Sequence, residues 1–552
     1  LEVAVSPGDD AEVWRVSLTN RSDRPREIEL TSYVEVGLGS VAEDAASPAF
    51  GKLFVETEWI AENTALLARR RPRARHDPGL VGFHVLSVHG PTQAQVEWET
   101  DRMRFLGRGR GPDDPRAMDG RALSGTTGAV LDPILSLRTR LRLAPGGFAR
   151  VSFTTGVAAD EPAARACAQK YHDHGVAARA FALAYTQAQI SLRHLGISVG
   201  QAQPFEELAS RVFFSDASLR ADGATLATNT LGQDGLWRFG ISGDLPIVLV
   251  RVKEPDDVQL VRQVLTAHEL WRLKGLRADV VILNERSESY RDEMARQLTQ
   301  LVDGGPWSAW KGQPGGVFLL QGETVTEAEA VLLSVVARAV LSGGRGTLEQ
   351  QLELPEVDLP LPSAVVLVGE ADDPTAADEE SRPDTDPQPP PLLLENGLGG
   401  FTPDGREYVV VLEGDRETPL PWINVLANPR FGAIVTTSGA AHTWSENSRE
   451  NRLTPFANDA VTDPTAEAIF VRDEESGALW GATPAPLRRT SRSPRWVVRH
   501  AAGVTRFSHA AHGIAQELAV FVARDEPVKL SVLTLTNRSD RPRRLALFSY
   551  NE

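Results

Sequence analysis

The feature of this sequence that most constrains its fold is an internal repeat. The nine residues LTNRSDRPR occur at 18–26 and again, 517 positions later, at 535–543. In each copy alternating apolar residues precede the repeat, and a second alternation ending in Ser-Tyr follows it, at 28–33 and 545–550. Alternation with a period of two is typical of half-buried strands, so each copy predicts a β-hairpin closed by a polar turn. We therefore expect the chain, as a fragment of a larger protein, to open inside one β domain and to stop inside a second.

Residues 1–160 predict the C-terminal part of the first β domain. Short strand patterns lie at 50–60, 82–90 and 94–101, and residues 135–158 predict a long hairpin around Pro145-Gly146-Gly147. A basic segment in this region carries four arginines, which suggest either contact with an anionic ligand such as phosphate or a solvated loop. These residues are Arg102, Arg104, Arg108 and Arg110.

Helical and then mixed patterns follow the first β domain. Apolar residues three and four positions apart predict a helical linker region over 161–235. Between 236 and 350, short apolar runs alternate with helical stretches. The predicted strands are 247–252, 278–285 and 316–320, and the predicted helices are 256–275, 289–302 and 326–341. Such a βαβαβα series implies a parallel sheet with helices on its faces, so this region predicts an α/β module.

Four polar residues of the α/β module are candidates for a ligand crevice at the strand ends: Asp244, His268, Asn284 and Glu285. The alternative is ordinary turn chemistry and a hydrogen-bonded histidine within a helix. The following residues, 351–392, are acidic and proline-rich, which predicts an exposed linker. Asp384-Thr385-Asp386 in this linker matches the Asp-X-Asp metal motif of many glycosyltransferases, but we interpret the match as accidental because that motif needs a rigid strand end.

Charge and composition exclude several function classes. A net charge of -16 argues against a nucleic-acid partner, because phosphate binding depends on clustered Lys and Arg. The single cysteine, Cys167, lies in an Ala-rich helical pattern that favours a small buried hydrophobe. The sequence has no apolar run of 18 residues, so we expect no membrane segment in this chain. His509 and His512 have no third ligand beside them, and we predict neither a metal nor another cofactor.

The segment 421–455 carries the densest sugar-binding chemistry of the chain, with two Trp, two Glu, three Arg and several Asn. Aromatic rings stack on the apolar face of a pyranose, while amides, carboxylates and guanidinium groups pair with its hydroxyls. The pattern predicts a carbohydrate-contacting surface, and the alternative is a loop between strands whose Trp residues fill a core. The seven candidate residues are Trp422, Trp444, Glu446, Asn447, Arg449, Glu450 and Arg452.

Four sequence blocks within 393–552 carry a resemblance to a known family. The blocks are NGLGGFTPDGREYVV (396–410), PWINVLANPRFG (421–432), TWSENSRENRLTPFAND (443–459) and VRDEESGALW (471–480). They resemble the N-terminal β-supersandwich domain of glycoside hydrolase family 94. That family contains cellobiose and chitobiose phosphorylases, and its domain occurs twice in cyclic β-1,2-glucan synthases. GISGDLPIVLV at 240–250 resembles the segment between those two copies. The resemblance implies that residues 393–552 are the N-terminal part of a second supersandwich.

The expected fold class is mixed, with two partial antiparallel β-supersandwich domains flanking a helical linker and an α/β (βαβαβα) module. The resemblance implies a carbohydrate-binding and scaffolding fragment of a cyclic β-1,2-glucan synthase. The alternative is the substrate-binding N-terminal portion of a family 94 inverting glycoside phosphorylase. The implied partners are a β-glucan oligosaccharide or polysaccharide and the remaining domains of the parent enzyme, at the cytoplasmic face of a larger, membrane-bound protein.

Catalysis by this chain alone is not expected. Family 94 phosphorylases place their general-acid Asp in an Asp-Trp-Asn-Asp stretch, which this sequence lacks. Inverting phosphorolysis needs a carboxylic acid that protonates the leaving oxygen while phosphate attacks from the opposite face. Glu446 and Glu450 are carboxylates four residues apart, but the resemblance places them in the accessory sandwich. We therefore assign both to binding.

Overall fold

The chain folds into two compact units, one formed by Leu1–Phe181 with Leu361–Glu552 and the other by Ala182–Pro360. The structure is a computed structural model that describes residues 1–72, 79–90, 96–214, 216–285, 291–353, 386–487 and 489–552. Residues 354–385 of the predicted acidic linker, including Asp384 and Thr385 of the Asp-X-Asp match, lie outside the described residues. The predicted domain boundaries at 160, 235, 350 and 392 stay predictions.

The first half of the first unit consists of two antiparallel sheets around a shared core. Its strands are β1 (Glu2–Val5), β2 (Ala11–Thr19), β3 (Arg26–Thr31), β4 (Val34–Glu35), β5 (Val55–Ile60), β6 (Ala65–Arg70), β7 (Val81–His89), β8 (Glu97–Asp101), β9 (Gly128–Ala129), β10 (Pro133–Leu143) and β11 (Phe148–Ala158). Sheet 1 has the order β1-β2-β11-β7-β6-β5-β9, and in sheet 2 strand β10 pairs with β3 and β4 in one continuous register and with β8. Alternating side chains from both sheets, including Leu66, Leu86, Leu137 and Val151, fill the core.

Helices of this half border the sheets. They are α1 (Val41–Ala46), α2 (Pro48–Lys52), α3 (Arg102–Leu106), α4 (Glu161–His172) and the beginning of α5 (His174–Leu195), which continues into the second unit. Helix α4 packs on sheet 1, where Tyr171 stacks near Phe83 with ring centroids 6.5 Å apart. Cys167 is partly buried against the same cluster, and burial raises the pKa of its thiol. The side chain therefore packs as a small hydrophobe.

The second unit is an α/β fold with a parallel sheet. Its helices are α6 (Val199–Phe213), α7 (Gly223–Ala227), α8 (Val258–Leu273), α9 (Arg291–Asp303), α10 (Glu327–Val336) and α11 (Leu348–Leu352), and its strands are β12 (Ile247–Val252), β13 (Asp279–Asn284), β14 (Val317–Gln321) and β15 (Ala339–Ser342). Sheet 3 has the order β14-β13-β12-β15 with all neighbours parallel. The predicted helix 326–341 is wrong beyond Val336, because residues 339–341 belong to β15. A short apolar run does not by itself distinguish a strand from a buried helix.

The predicted crevice of the α/β module does not form as one site. His268 on α8 is buried and places Nε2 3.0 Å from the Ala278 carbonyl and 3.1 Å from that of Gly315, at the amino ends of β13 and β14. Asp244 also precedes its strand, β12. Asn284 and Glu285 lie instead at the carboxyl end of β13. Since strands rise about 3.3 Å per residue, the two pairs are separated by the length of the sheet.

The second half of the first unit contains further antiparallel sheets. Its strands are β16 (Gly399–Phe401), β17 (Glu407–Leu412), β18 (Ile423–Asn428), β19 (Phe431–Thr436), β20 (Ala441–Ser445), β21 (Glu467–Asp473), β22 (Leu479–Gly481), β23 (Trp496–Ala501), β24 (Val504–Ala511), β25 (Ile514–Val522), β26 (Lys529–Asn537) and β27 (Leu545–Asn551). Sheet 4 has the order β16-β17-β23-β24-β25-β26, sheet 5 the order β18-β19-β20, and sheet 6 the order β22-β21-β27. The mixed fold class, with antiparallel β regions flanking helices and an α/β module, is confirmed.

The two copies of the repeat form equivalent turns, but not the predicted hairpins. The Asn20 amide donates to the Arg24 carbonyl at 2.8 Å and accepts from the Ser22 backbone at 3.0 Å. Asn537 makes the same two bonds, to Arg541 at 2.7 Å and from Ser539 at 3.0 Å. The flanking strands separate in both copies, with β2 in sheet 1 and β3 in sheet 2, and β26 in sheet 4 and β27 in sheet 6.

The predicted hairpin over 135–158 is wrong for the same reason. Strand β10 belongs to sheet 2, whereas β11 belongs to sheet 1. Both this strand pair and the repeat are therefore arches that cross between two packed sheets. Alternation along a strand indicates which side chains face a core, but it does not determine which strand lies alongside.

Strand pairing extends the repeat beyond its nine identical residues. In the first copy Glu2 lies opposite Arg15 and Val5 lies opposite Glu12, across β1 and β2. In the second copy Ala519 lies opposite Val532 and Val522 lies opposite Lys529, across β25 and β26. Each of these positions is shifted by the 517 residues that separate the two turns. The two copies thus share one register as well as one turn.

Candidate functional site

Sheet 5 presents the predicted sugar-binding segment. Strand β20 carries Trp444, which lies opposite Gly432 of β19. A side chain at position 432 would overlap the indole of Trp444, so glycine is required for the ring to lie against the sheet. The Trp444 side chain is consequently held flat at the end of the strand, and it remains partly exposed.

Trp422 lies at the opposite end of the same sheet. Its carbonyl accepts a hydrogen bond of 2.8 Å from the backbone of Thr437, which directly follows β19. Its ring packs edge-on against Tyr408 at 5.8 Å and contacts the core of this half. With about 3.3 Å per residue along β19, roughly 15 Å separates it from Trp444. The structure therefore does not bring the two predicted Trp residues together.

The residues after Trp444 form an exposed loop, residues 446–452, which we call the rim loop. Its side chains include the remaining predicted residues: Glu446, Asn447, Arg449, Glu450 and Arg452. The Arg449 and Glu450 side chains are 70% and 71% exposed and lie 3.3 Å apart as an ion pair. Five of the seven predicted residues are thus brought together on one surface, next to Trp444.

Hydrogen bonds fix the backbone of the rim loop while its charged groups stay in solvent. The Asn447 carboxamide accepts from the backbone N–H groups of Arg449 and Glu450 at 2.9 and 3.0 Å. The Glu446 N–H donates to the Arg430 carbonyl at 2.7 Å, and Glu446 has a left-handed backbone with φ 58°. A loop of this kind presents its side chains in a preorganised arrangement, which lowers the entropic cost of binding.

His442 supports the rim loop from beneath, and sequence reasoning did not single it out. The ring is buried, with Nδ1 2.8 Å from the Thr454 carbonyl and Nε2 3.4 Å from the Ser448 carbonyl. Its other side stacks on Phe456 at 4.9 Å. The alternation of β20 would have identified His442 as inward-facing, but its partners lie on a loop whose path the alternation does not specify.

An apolar groove lies next to the residues that support the rim loop. This groove encloses about 320 Å³ and shares His442 and Phe456 with the support just described. Its other lining side chains are mainly aliphatic and include Leu420, Ile423, Ile434 and Pro464. An apolar floor beside a charged and amide-bearing rim matches the two faces of a sugar ring, one lined by C–H groups and the other by hydroxyls.

Residues of the first half anchor the far end of the groove. Asp463 is buried and accepts hydrogen bonds of 3.0 Å from Arg108 and 3.0 Å from Thr436, and burial raises its pKa. Asp459 is bound in turn by Arg102. The segment 459–463 is therefore held by guanidinium groups from the basic segment predicted in the sequence.

The four predicted arginines of that basic segment engage carboxylates within the chain. Arg102 pairs with Asp459 at 2.8 Å, Arg108 with Asp463 at 3.0 Å, and Arg110 with Asp119 at 2.7 Å. The exposed Arg104 lies 3.6 Å from Asp101. The pairs of Arg102 and Arg108 join the two halves of the first unit. Arg104 and Arg110 pair with carboxylates of their own half.

His509 and His512, which the sequence places close together, make contacts typical of structural histidines. His509 is buried, stacks on Trp496 at 3.9 Å, and places Nδ1 3.1 Å from the Arg495 carbonyl. Burial lowers its pKa to about 4. His512 has a left-handed backbone in the turn after β24 and lies 5.2 Å from Trp480. Across the described ranges, no three His, Cys, Asp or Glu side chains are grouped as metal ligands.

No helix among the described residues is both long and apolar enough to cross a membrane.

A family model supports the relationship suggested by the sequence blocks. The model for the glycosyl hydrolase 94 supersandwich domain matches residues 1–174 and 406–552. These two ranges account for more than half of the chain and for most of the first unit. The α/β unit lies between the two matched ranges.

Several characterised proteins are similar to this chain. Cyclic beta-(1,2)-glucan synthase NdvB of Rhizobium meliloti (strain 1021) is 35% identical over 569 aligned positions, which cover 100% of this chain and 20% of that protein. N,N'-diacetylchitobiose phosphorylase of Vibrio furnissii is 27% identical over 154 residues, 28% of this chain and 19% of the relative. Solabiose phosphorylase of Paenibacillus borealis is 31% identical over 166 residues, again 28% of this chain and 20% of the relative. The chain spans about a fifth of the length of these curated relatives.

Proposed function

The chain belongs to the glycosyl hydrolase 94 supersandwich family, and from this premise we propose that it contacts carbohydrate within a β-glucan-processing enzyme of the cyclic β-1,2-glucan synthase type. In this proposal the first unit binds and positions a β-glucan chain. Other domains of the parent enzyme carry out the chemistry, at the cytoplasmic face of a membrane-bound assembly.

The observation that carries the proposal is the rim loop, together with the apolar groove that shares the supporting His442. The loop backbone is hydrogen-bonded through Asn447 and His442, while Arg449 and Glu450 point into solvent. Charged groups that are exposed on a fixed backbone are suited to pairing with hydroxyls, and Trp444 or Phe456 offers an apolar surface for stacking. The similarity of the whole chain to a named β-glucan synthase supports the choice of a β-glucan as the ligand.

The second candidate function is substrate binding in an inverting phosphorylase of the same family. Two phosphorylases match about 28% of this chain. In that case the supersandwich completes the substrate site of a catalytic domain, and the ligand is a disaccharide rather than a longer glucan. The α/β unit favours the synthase, because the synthase relative aligns over 100% of this chain.

The experiment is a titration of the full chain with a β-1,2-linked gluco-oligosaccharide, followed by saturation-transfer NMR. One stacked ring and a few charged hydrogen bonds predict millimolar affinity, about −4 kcal/mol. Arg449→Ala and Glu450→Gln are each expected to weaken binding by about fivefold. Both side chains are exposed, so neither substitution should affect folding.

The matched control is Arg524→Ala, whose side chain is 94% exposed in the turn between β25 and β26. It should leave the affinity unchanged. If the oligosaccharide binds and neither rim-loop substitution weakens its binding, the site assignment is wrong. The loop would then be only a connection between strands. Tighter binding of a disaccharide than of a longer glucan would favour the phosphorylase alternative. Trp422→Phe tests separately whether the distant Trp422 contacts sugar.

A further inference from the structure

A cavity in the second half of the first unit is separate from the rim loop and the apolar groove. It encloses about 190 Å³, and none of its described lining residues belongs to either of those features. Strands β22, β23, β24 and β25 and the segment 483–494 between β22 and β23 contribute its walls. Sites for drug-sized ligands enclose about 300 Å³ or more, so this cavity has room for one small ring rather than for a chain.

His509 on β24 brings an open ring nitrogen to this cavity. The side chain lines the cavity and is only 6% exposed. Its Nδ1 lies 3.1 Å from the Arg495 carbonyl, which can only accept a hydrogen bond, so Nδ1 carries the ring proton and Nε2 is an acceptor. Nε2 has no hydrogen-bond partner among the described residues. Because buried polar atoms are nearly always hydrogen-bonded, this acceptor points to a donor from outside the chain.

Ser493 supplies the complementary donor. Its hydroxyl oxygen accepts from the Thr490 N–H at 2.9 Å, and its own N–H donates to the Thr490 carbonyl at 3.0 Å. These bonds fix the turn, while the hydroxyl proton has no acceptor in the part of the chain that the structure describes. A hydroxyl group of a ligand both donates and accepts. The cavity thus offers one acceptor and one donor, which neighbouring hydroxyls of a sugar require.

Trp480 on β22 gives the cavity a rigid aromatic wall. Its Nε1 donates to Gln516 Oε1 at 2.9 Å, and Gln516 Nε2 donates to the Gly481 carbonyl at 2.9 Å. The indole N–H is therefore satisfied within the chain, and the ring offers the cavity an apolar surface. Leu487 and Pro494 extend that surface. Apolar surface beside a donor and an acceptor matches a pyranose, which has a C–H face and hydroxyls.

The charged groups around the cavity favour a neutral ligand over an anion. The charged side chains that line it are Asp386, Arg489 and Arg538. The terminal nitrogens of Arg489 donate to the carbonyls of Gly414 and Arg416 at 2.7 and 2.6 Å. Arg489 also pairs with Glu417. Burial lowers the pKa of His509 to about 4, so its Nε2 remains an acceptor at neutral pH and does not attract a phosphate.

We propose that this cavity is a second carbohydrate site, which takes one pyranose ring with one hydroxyl donating to His509 Nε2 and another accepting from Ser493. The apolar face of the ring lies on Trp480. These contacts specify a neutral hydroxylated ring. The choice of a glucosyl unit as that ring rests on the proposed function, because a β-glucan presents such units. One ring with two hydrogen bonds gives a dissociation constant on the order of millimolar.

The test is NMR of the full chain labelled with ¹³C at the ring Cε1 of histidine and titrated with methyl β-D-glucopyranoside. A saturable shift of the His509 signal is expected, and His509→Phe, which keeps an aromatic ring against Trp496, identifies that signal by its loss. Ser493→Ala should weaken binding about fivefold, because one hydrogen bond is removed. The matched control is Ser491→Ala, at an exposed serine of the same segment that does not line the cavity. It should leave the affinity unchanged.

The outcomes separate this site from the rim loop. If the His509 signal does not shift, or if Ser493→Ala leaves the shift unchanged, the inference is overturned. The rim-loop proposal would be unaffected, because it is tested by oligosaccharide binding to Arg449→Ala. Oligosaccharide binding that Ser493→Ala weakens and Arg449→Ala does not would support the cavity and contradict the rim loop. A larger shift with inorganic phosphate than with the glucoside would assign the cavity to an anion and overturn the inference.

Discussion

Arg102 and Asp459 form a bidentate ion pair between residues 357 positions apart. Nη1 lies 2.8 Å from Oδ1, and Nη2 lies 2.9 Å from Oδ2. The Asp459 carboxylate also accepts from the Thr462 hydroxyl at 2.7 Å. This pair joins the two halves of the first unit at the end of the segment that borders the apolar groove. Two parallel charge-assisted bonds define orientation as well as distance.

The first prediction is that Asp459→Asn destabilises the first unit by about 1 to 2 kcal/mol. Arg102 is largely buried, with a side chain 7% exposed, and the substitution removes its bidentate partner but leaves Glu35 at 2.9 Å and Asp132 at 3.0 Å to compensate its charge. Urea denaturation followed by Trp fluorescence measures the change. Asp525→Asn, at a side chain 86% exposed, is the control and should change the free energy of unfolding by less than about 0.5 kcal/mol.

Asp459 also predicts a pH dependence. The Arg102 guanidinium and the Thr462 hydrogen bonds hold the pKa of its carboxyl well below the usual value of about 3.9. Its contribution to stability is therefore complete above about pH 5 and decreases as pH falls below 4. The stability difference between the wild type and Asp459→Asn should shrink over that range. A difference that stays constant from pH 6 to pH 3 would contradict the assignment.

The second prediction concerns His509, whose pKa is lowered to about 4 by burial. The unfolded chain binds a proton near pH 6.5, so this histidine destabilises the folded state increasingly as pH falls from 6.5 to 4. The total effect is roughly 3 kcal/mol. His509→Gln should reduce the slope of stability against pH by up to one proton in this window. The pKa values of His84 and His500 are also lowered to about 4. These two histidines should therefore maintain the rest of the dependence of stability on pH in the variant.

The third prediction compares the two equivalent turns. Asn20 is buried, and besides its turn bonds it donates to the carbonyls of Leu143 and Ala144 at 3.0 and 3.1 Å. Asn537 makes the turn bonds on an exposed surface. Asn20→Ala should therefore cost about 2 to 3 kcal/mol and Asn537→Ala about 1 kcal/mol, by urea denaturation. Equal losses in the free energy of unfolding would show that the additional bonds of Asn20 do not contribute to stability.

The fourth prediction concerns two adjacent glycines after β15 in the α/β unit. A methyl group at Gly343 would overlap the buried Asp257 carboxylate, which accepts from the backbone of Lys253 and Glu254 at 2.7 and 2.9 Å. Gly344 has no atom within 4 Å of such a methyl group. Gly343→Ala should destabilise the α/β unit by about 2 kcal/mol, and Gly344→Ala should be nearly neutral. If both variants denature at the same temperature, the close contact between position 343 and Asp257 is contradicted.

The fifth prediction is that the purified chain neither phosphorolyses nor synthesises β-glucan. The sequence lacks the Asp-Trp-Asn-Asp stretch of the family phosphorylases, and the rim-loop carboxylates Glu446 and Glu450 are assigned to binding. The assay is phosphate-dependent release of glucose 1-phosphate from β-1,2-gluco-oligosaccharides. Release above the level of a heat-treated sample would contradict the prediction and would point to catalytic groups within the chain.

The sequence by itself determined the local elements and the family. Strand 247–252 and the helix that ends before Gly275 were predicted closely, because apolar periodicity reports directly on which side of an element is buried. The repeat at 18–26 and 535–543 specified two equivalent turns, since Asn side chains hydrogen-bond to backbone groups only a few residues away. The blocks within 393–552 indicated the supersandwich family. All of these signals are local in the chain.

Only the tertiary structure decided which strands pair and which side chains meet. The predicted hairpins separated into arches between two sheets, because a strand satisfies its hydrogen bonds equally well with a distant partner as with its neighbour in sequence. The same freedom placed Trp422 and Trp444 at opposite ends of sheet 5, although 22 residues separate them in the sequence. It also brought Arg102 to Asp459. Contacts of this kind depend on burial and charge across hundreds of residues, and periodicity along the chain carries no information about them.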